Sequence, residues 1–357
     1  MNISTAQKDE DPFQNKPSGG YEWWYFDAIS ADKEWSLVII FYQGNPFSPR
    51  YIQAIEAGNT IPDEFPAVSI SIYHNTKTEF YSFIEYTQND FKWDEEKSVC
   101  TIGPHSFSKE VTESTLNYKL SMNEQLLSGH KISGKIEFSG RPSLLDIQPE
   151  KKEQTEHHFW NLLQYSAQVK GHLEVAGKSG SHSIDFKGTG YHDHNIGLEP
   201  MKNDFEDWYW GRYHFKDSTL IYYVMNRKED KQYQAWLISN DSDSVIDRFD
   251  TIELEENAKN IFGLSSDRKL VFSSKDTTVT IHATLPIDDG PFYQRFLGQA
   301  VMKRHDLVDV SNGFSEYIYP QNIYRRLFWP AVKMRLRFND QKPHWVQKFK
   351  SFYEWTW

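Results

Sequence analysis

Residues 130–140, "HKISGKIEFSG", alternate without a break: Ile132, Gly134, Ile136 and Phe138 fall on one face of an extended chain. Lys131, Ser133, Lys135 and Glu137 fall on the other. A helix, whose faces recur about every 3.6 residues, cannot satisfy a period of two, so segments of this kind must pair as strands. "TVTIHATL" has the same form, with Val279, Ile281, Ala283 and Leu285 on one face. "SISIYHN", "EFYSFIEY", "LNYKLSMN", "YSAQVKGHLEV", "STLIYYVMN" and "YQAWLIS" are further strand candidates. Turn signals at Asn89-Asp90, Ser139-Gly140, Ala176-Gly177 and Asn240-Asp241 separate them at the spacing of an antiparallel sandwich or barrel. Helical periodicity is scarce; its best case, "RRLFWPAVKMRLRF", is interrupted by Pro330. The expected fold is mainly β, with few helices.

A chain of 357 residues suits about two domains, each with its own core. Residues 1–20 are polar, carry Pro and Gly, and predict a flexible lead-in. The strand pattern breaks near Leu198–Asp204, which divides the remainder into an N-terminal β domain over 21–200 and a C-terminal one over 201–357. A boundary there would set the preceding motif at or beside an interdomain cleft, a common place for a ligand site. No short-period repeat of the propeller or solenoid kind is present.

Aromatic residues make up 16% of the chain, enough to line a site for a large apolar ligand as well as to pack strands. The net charge of −11 argues against nucleic acid as a partner, since phosphate binding needs a basic face. Cys100 is the single cysteine, which removes any disulfide framework or thiolate metal cluster. The first residues lack the basic and apolar regions of a secretory signal, and no apolar run approaches a membrane span, so a cytoplasmic location is expected.

The densest chemistry lies in "GTGYHDHNIGLEP", Gly188–Pro200. As a strand it would put Tyr191, Asp193 and Asn195 on one face and His192 and His194 on the other. The histidine face, with Glu199 five residues on, resembles the first metal motif of cupins and would suit Fe, Mn, Ni or Zn. That match lacks the surrounding Gly and Pro spacing and a second motif; His214, His282 and His305 are not singled out by spacing. No metal and no other cofactor is the expectation.

The opposite face offers proton transfer. An aspartate buried among apolar groups is pushed toward its neutral form, and hydrogen bonds from neighbouring side chains fix where its proton sits. A carbocation formed by that proton is stabilised by aromatic faces without being trapped. "EWWYFD" supplies Trp23, Trp24 and Tyr25, "HHFWN" supplies Trp160, and "DWYWGRYHF" supplies Trp208, Tyr209 and Trp210. The plainer reading makes the motif a polar turn and the aromatic runs cross-strand packing.

The order "EWWYFD", "HHFW", "GTGYHDHNIG", "DWYWGRYHF", and above all the string "GYHDHN", makes residues Tyr21 to Phe215 resemble the carotenoid 1,2-hydratase (hydroxyneurosporene synthase) family, whose lipocalin-like relatives include fungal Diels–Alderases. The resemblance implies two lipocalin-like antiparallel β-barrel or sandwich domains with a hydrophobic substrate between or within them. It places catalysis on His158, Trp160, Tyr191 and Asp193: Asp193 as proton donor, Trp160 shielding the cation, and His158 and Tyr191 orienting the acid or activating water. Trp23, Trp24, Trp208, Trp210, His192, His194 and Asn195 are the candidate substrate-binding residues. Ile196 stands where the family usually has tryptophan, which removes one aromatic. The implied activity is acid-catalysed hydration, or proton-initiated cyclisation, of a double bond in an isoprenoid or polyene. The same scaffold also hosts cofactor-free cycloaddition, and a lipocalin-type carrier that binds a hydrophobic ligand without turning it over is the alternative from another class.

From Arg325 onward the composition turns basic and aromatic inside an acidic protein. One reading is peripheral contact with anionic lipid. The other, which is favoured, is a terminal element docked on the acidic body with its aromatic residues inside.

Overall fold

The computed structural model describes every residue except 59–60, 144, 146, 148–156 and 228–230. Its strands group into two units, one comprising Met1–Pro200 with Arg326–Trp357 and the other Met201–Arg325. The second unit is thus an insertion in the first.

The strands of the first unit begin with β1 (Asn2–Ser4), β2 (Tyr21–Ser30), β3 (Trp35–Gln43), β4 (Ala67–His74) and β5 (Lys77–Glu85). Four shorter or middle strands follow: β6 (Phe91–Asp94), β7 (Val99–Ile102), β8 (His105–Val111) and β9 (Leu116–Gln125). Three long ones complete the run: β10 (Lys131–Gly140), β11 (His158–Ala176) and β12 (Ser181–Gly197). The sheet order is β5-β4-β3-β2-β12-β11-β10-β9-β8-β7-β6, so consecutive strands pair from β2 to β5 and from β6 to β12, β5 and β6 lie toward opposite ends, and β12 closes against β2. That closure brings the "EWWYFD" strand beside the "GYHDHN" strand, an antiparallel pair running from Tyr21 opposite Gly197 to Ser30 opposite Gly188.

The alternation of β10 holds: Ile132, Ile136 and Phe138 are buried, while Lys131 and Lys135 are exposed. They join a core of inward residues that includes Phe26, Ile39, Phe107 and Tyr118. Among the described residues the second unit is a nine-stranded antiparallel sheet running from Phe205–His214 to Leu307–Ile318 along the chain, with Tyr213, Tyr222, Phe272 and Ile281 in its core. There Val279, Ile281 and Ala283 are buried as the period of two requires, but Leu285 is 53% exposed. A register shift between His282 and Leu285 turns that side chain outward.

Two segments depart from the expected layout. Residues 1–20 are not a loose lead-in. β1 pairs in parallel with β11 at Asn2–Phe159 through Ser4–Asn161, on the half of β11 that β10 does not reach, and Ile3 and Glu10 are fully buried. Two of its buried groups, Glu10 and Lys16, are ionic and matched by partners, so composition alone hides its packing. Residues 326–357, expected in the C-terminal domain, belong instead to the first unit, where the short strand Leu336–Phe338 adds in parallel to β5. Pro330 does not interrupt the helix there; it lies in the first turn of Trp329–Arg335, where its missing N–H costs nothing.

Candidate active site

β12 is a strand through the whole motif, and its two faces do different things. Opposite Asp193 stand Tyr25 on β2 and Leu162 on β11; opposite Asn195 stand Trp23 and Trp160. Directly paired residues share a face, so Tyr191, Asp193 and Asn195 look the same way as Trp23, Tyr25, Trp160 and His158. All seven are buried.

Three side chains converge on the Asp193 carboxyl. Trp160 Nε1 donates to Oδ2 at 2.8 Å, Tyr191 Oη donates to the same oxygen at 2.6 Å, and Asn195 Nδ2 donates to Oδ1 at 2.9 Å. Asp193 is only 3% exposed. Burial penalises charge on a carboxyl, and donors aimed at both oxygens compensate a charge that forms there. Tyr25 meets the Tyr191 ring edge-on, with centroids 6.1 Å apart, and so holds the phenol in place.

His158 lies on the same face one pair further along. Its Nδ1 is 3.0 Å from Tyr21 Oη, and the Tyr21 ring stacks on Trp23 at 5.2 Å. Tyr21 reaches this position by lying flat over Gly197, where a Cβ would sit 2.0 Å from the Tyr21 ring. Tyr21 escapes a motif search because tyrosine at a strand start is unremarkable in composition. The period of two in "YEWWYFD", which groups Tyr21, Trp23, Tyr25 and Asp27, is the signal that finds it.

The other face anchors the strand. His192 stacks on Phe26 at 3.9 Å, its Nδ1 faces the Tyr25 carbonyl at 2.9 Å and its Nε2 faces Glu10 Oε1 at 2.9 Å. The carbonyl can only accept, so Nδ1 carries a proton, and Nε2 and Glu10 share one more between them. Glu10 also accepts from Tyr118 Oη at 2.8 Å and pairs with Lys109 at 3.2 Å. Burial alone would raise the Glu10 carboxyl, but the hydrogen bond and charge of His192, then Lys109 and His194, hold it down to about 2. His194 repeats the design, with Nε2 2.7 Å from Glu22 Oε1, Lys16 Nζ 2.7 Å from Glu22 Oε2, and the ring stacked on Trp24.

The candidate substrate-binding set therefore divides. Trp23 and Asn195 lie on the Asp193 face, Asn195 as a donor to the acid itself. His192, His194 and Trp24 do not: they sit on the core side, where Trp24 Nε1 donates to the Glu10 carbonyl. The period-two rule that separated the histidines from Asp193 also separates Trp24 from Trp23. Trp208 and Trp210 are buried in the second unit, Trp208 against Phe205 and Tyr223. Of the cupin-like set, both histidines are committed to carboxylate partners, and no group of three metal-ligating side chains occurs among the described residues. Glu10 and Glu22 went unrecognised in the sequence because each finds its histidine more than 170 residues away.

Comparison with known proteins agrees with the motif resemblance and extends it. The profile of the family described as carotenoid hydratase CrtC matches residues 38–341, well past Phe215 where the motifs stop. "Hydroxyneurosporene dehydrogenase" of Chlorobaculum tepidum is 27% identical over 356 residues, covering 92% of this chain and 90% of that protein. "Acyclic carotenoid 1,2-hydratase" of Thiocapsa roseopersicina is 26% identical over 205 residues, covering 57% of this chain and 47% of that protein, about half its length. The crystal structure of CghA with Sch210972 superposes with a TM-score of 0.58 at 11% identity, covering 85% of this chain and 89% of that one. The likeness carries the fold: mainly β, with lipocalin-like curled sheets.

Proposed function

The chain belongs to the carotenoid hydratase family, and from that premise we propose that it is a hydro-lyase-type enzyme that adds water across a carbon–carbon double bond of a large apolar polyene, with Asp193 as the acid. The observation that carries this reading is the convergence of Trp160, Tyr191 and Asn195 on one buried carboxyl.

In the reaction, the protonated Asp193 carboxyl gives its hydrogen to one alkene carbon, and the π electrons form the new C–H bond. A cation is left on the neighbouring carbon. As the proton leaves, negative charge grows on the carboxyl oxygens, and the three donors meet it there. Their bonds strengthen in the transition state more than in the ground state, which is what lowers a barrier. The faces of Trp23, Tyr25 and Trp160 stabilise the cation electrostatically without bonding to it. Water then adds through oxygen, and the proton it sheds returns to the Asp193 carboxylate, restoring the acid. His158, held by Tyr21, orients that water.

The test is turnover of an acyclic carotenoid in deuterated water. The expected product has gained the elements of water and carries one solvent deuterium on carbon, and Asp193→Asn lowers the rate by about 10²–10⁴-fold. Wild-type turnover by Asp193→Asn sinks the reading, as does a product without carbon-bound deuterium. A product isomeric with the substrate but carrying deuterium would instead mark quenching by an internal alkene, a cyclisation started by the same acid.

A further inference from the structure

The last thirteen residues are bound to the first unit by their inward side chains. Val346, Gln347 and Tyr353 are buried, and Gln347 Nε2 donates to the carbonyls of Lys333 and Met334 at 3.2 Å. Glu354 meets His130 Nε2 at 2.9 Å, and Trp357 packs on the His130 ring at 4.6 Å.

The outward side is aromatic. Trp345 is 55% exposed, Phe349 56%, Phe352 52% and Trp355 78%. Phe352 lies 5.3 Å from Trp345 and 6.1 Å from Phe349, so three of the rings form one continuous cluster. Large rings held together in water on an anchored support mark a contact surface. Exposed Lys342, Lys348 and Lys350 flank them along the chain. Residues 326–357 hold seven Lys or Arg against two acidic residues, in a protein of net charge −11. Both acidic residues are engaged, Glu354 with His130 and Asp340 with Arg50.

We propose that this patch docks the protein on an anionic membrane surface, with Trp345, Phe349, Phe352 and Trp355 in the interfacial layer and the lysines against the headgroups. Trp and Phe are suited to that layer, having large apolar bodies, and Trp keeps a polar N–H for water or headgroup oxygens. Charge selects the occupant: a second copy on the same patch would bring two basic segments together, whereas anionic headgroups complement one. The inference rests on the tail alone and does not depend on which substrate Asp193 serves.

The experiment is flotation of the full chain with phosphatidylcholine vesicles containing phosphatidylglycerol, at low and at high salt. Association is expected at low salt, with release as salt rises and none on phosphatidylcholine alone. Lys342→Gln with Lys348→Gln should weaken it roughly 25-fold, about fivefold for each charge. Trp345→Ala with Phe349→Ala and Phe352→Ala should weaken it at least about tenfold while leaving thermal unfolding unchanged, since those side chains stand outside the core. No flotation at low salt overturns the proposal, as does an unaffected aromatic variant. Light scattering that finds a dimer dissolved by the aromatic substitutions would assign the patch to a second copy and overturn it too. Flotation is read without turnover, so its failure leaves the assignment of Asp193 standing.

Discussion

Glu10→Gln replaces one carboxylate oxygen with an amide nitrogen of almost equal size and should destabilise the protein by about 3 kcal/mol at neutral pH. The magnitude follows from the carboxyl being held at about 2 instead of 4.5, at about 1.4 kcal/mol for each pH unit. Glu10 is fully buried between His192 and Lys109, so solvent screens little of that interaction. The folded state depresses this acid, so its contribution is complete above pH 4.5 and is lost as pH falls from there toward 2. Wild type and variant should therefore differ by the full amount at pH 7 and converge on acidification through that window. Denaturant titrations followed by tryptophan fluorescence and far-ultraviolet circular dichroism, repeated across the acid range, measure the difference. Equal stability at pH 7 would refute the reasoning, and so would a gap of the same size at both ends of the window. The second outcome would mean that hydrogen-bond acceptance by both oxygens, not charge, is what Glu10 provides.

Glu85 should behave in the opposite sense. Burial, partly offset by Ser48, Arg50 and Asn45, pushes its carboxyl up to about 7, so stability falls as pH rises from 4.5 to 7. Glu85→Gln is expected to be more stable than wild type above pH 7, by up to about 3 kcal/mol, in the same denaturant assay. Trp160→Phe keeps a ring but removes the Nε1 donor to Asp193. It should cost about 10²-fold in kcat on the polyene with little change in KM, as deletion of a donor to developing charge does. Gly197→Ala would force the Tyr21 ring off its seat and should disturb the His158–Tyr21 contact, read as a change in the pH profile of turnover.

How much of this was legible in the sequence depends on whether the information is local. The alternation in β10 sets which side of the strand is buried, and the same rule separates Asp193 from its flanking histidines, because both are properties of adjacent residues. The donors on Asp193 are half local: Tyr191 and Asn195 lie two residues away, but Trp160 arrives through the β11–β12 register. Glu10 is not local at all. It sits in a segment of "AQKDEDP" character that resembles solvated chain, and its burial is decided by an imidazole and a lysine on other strands. The bulge that exposes Leu285 and the tail that returns to β5 are missed for the same reason: neither leaves a periodic trace where it occurs.

The parallel pairing of β1 with β11 has a consequence for biosynthesis. Asn2–Ser4 leave the ribosome before their partners Phe159–Asn161, which emerge only after more than 150 further residues. At about 5–20 residues per second, the opening arm waits on the order of ten seconds or more for its berth. The edge of β5 that Leu336–Phe338 completes stays open until the whole second unit, Met201–Arg325, has been made. A nascent chain of this kind keeps its opening arm unpaired until β11 emerges and the outer edge of β5 open until Leu336–Phe338 follow, and chaperone dependence should track elongation speed.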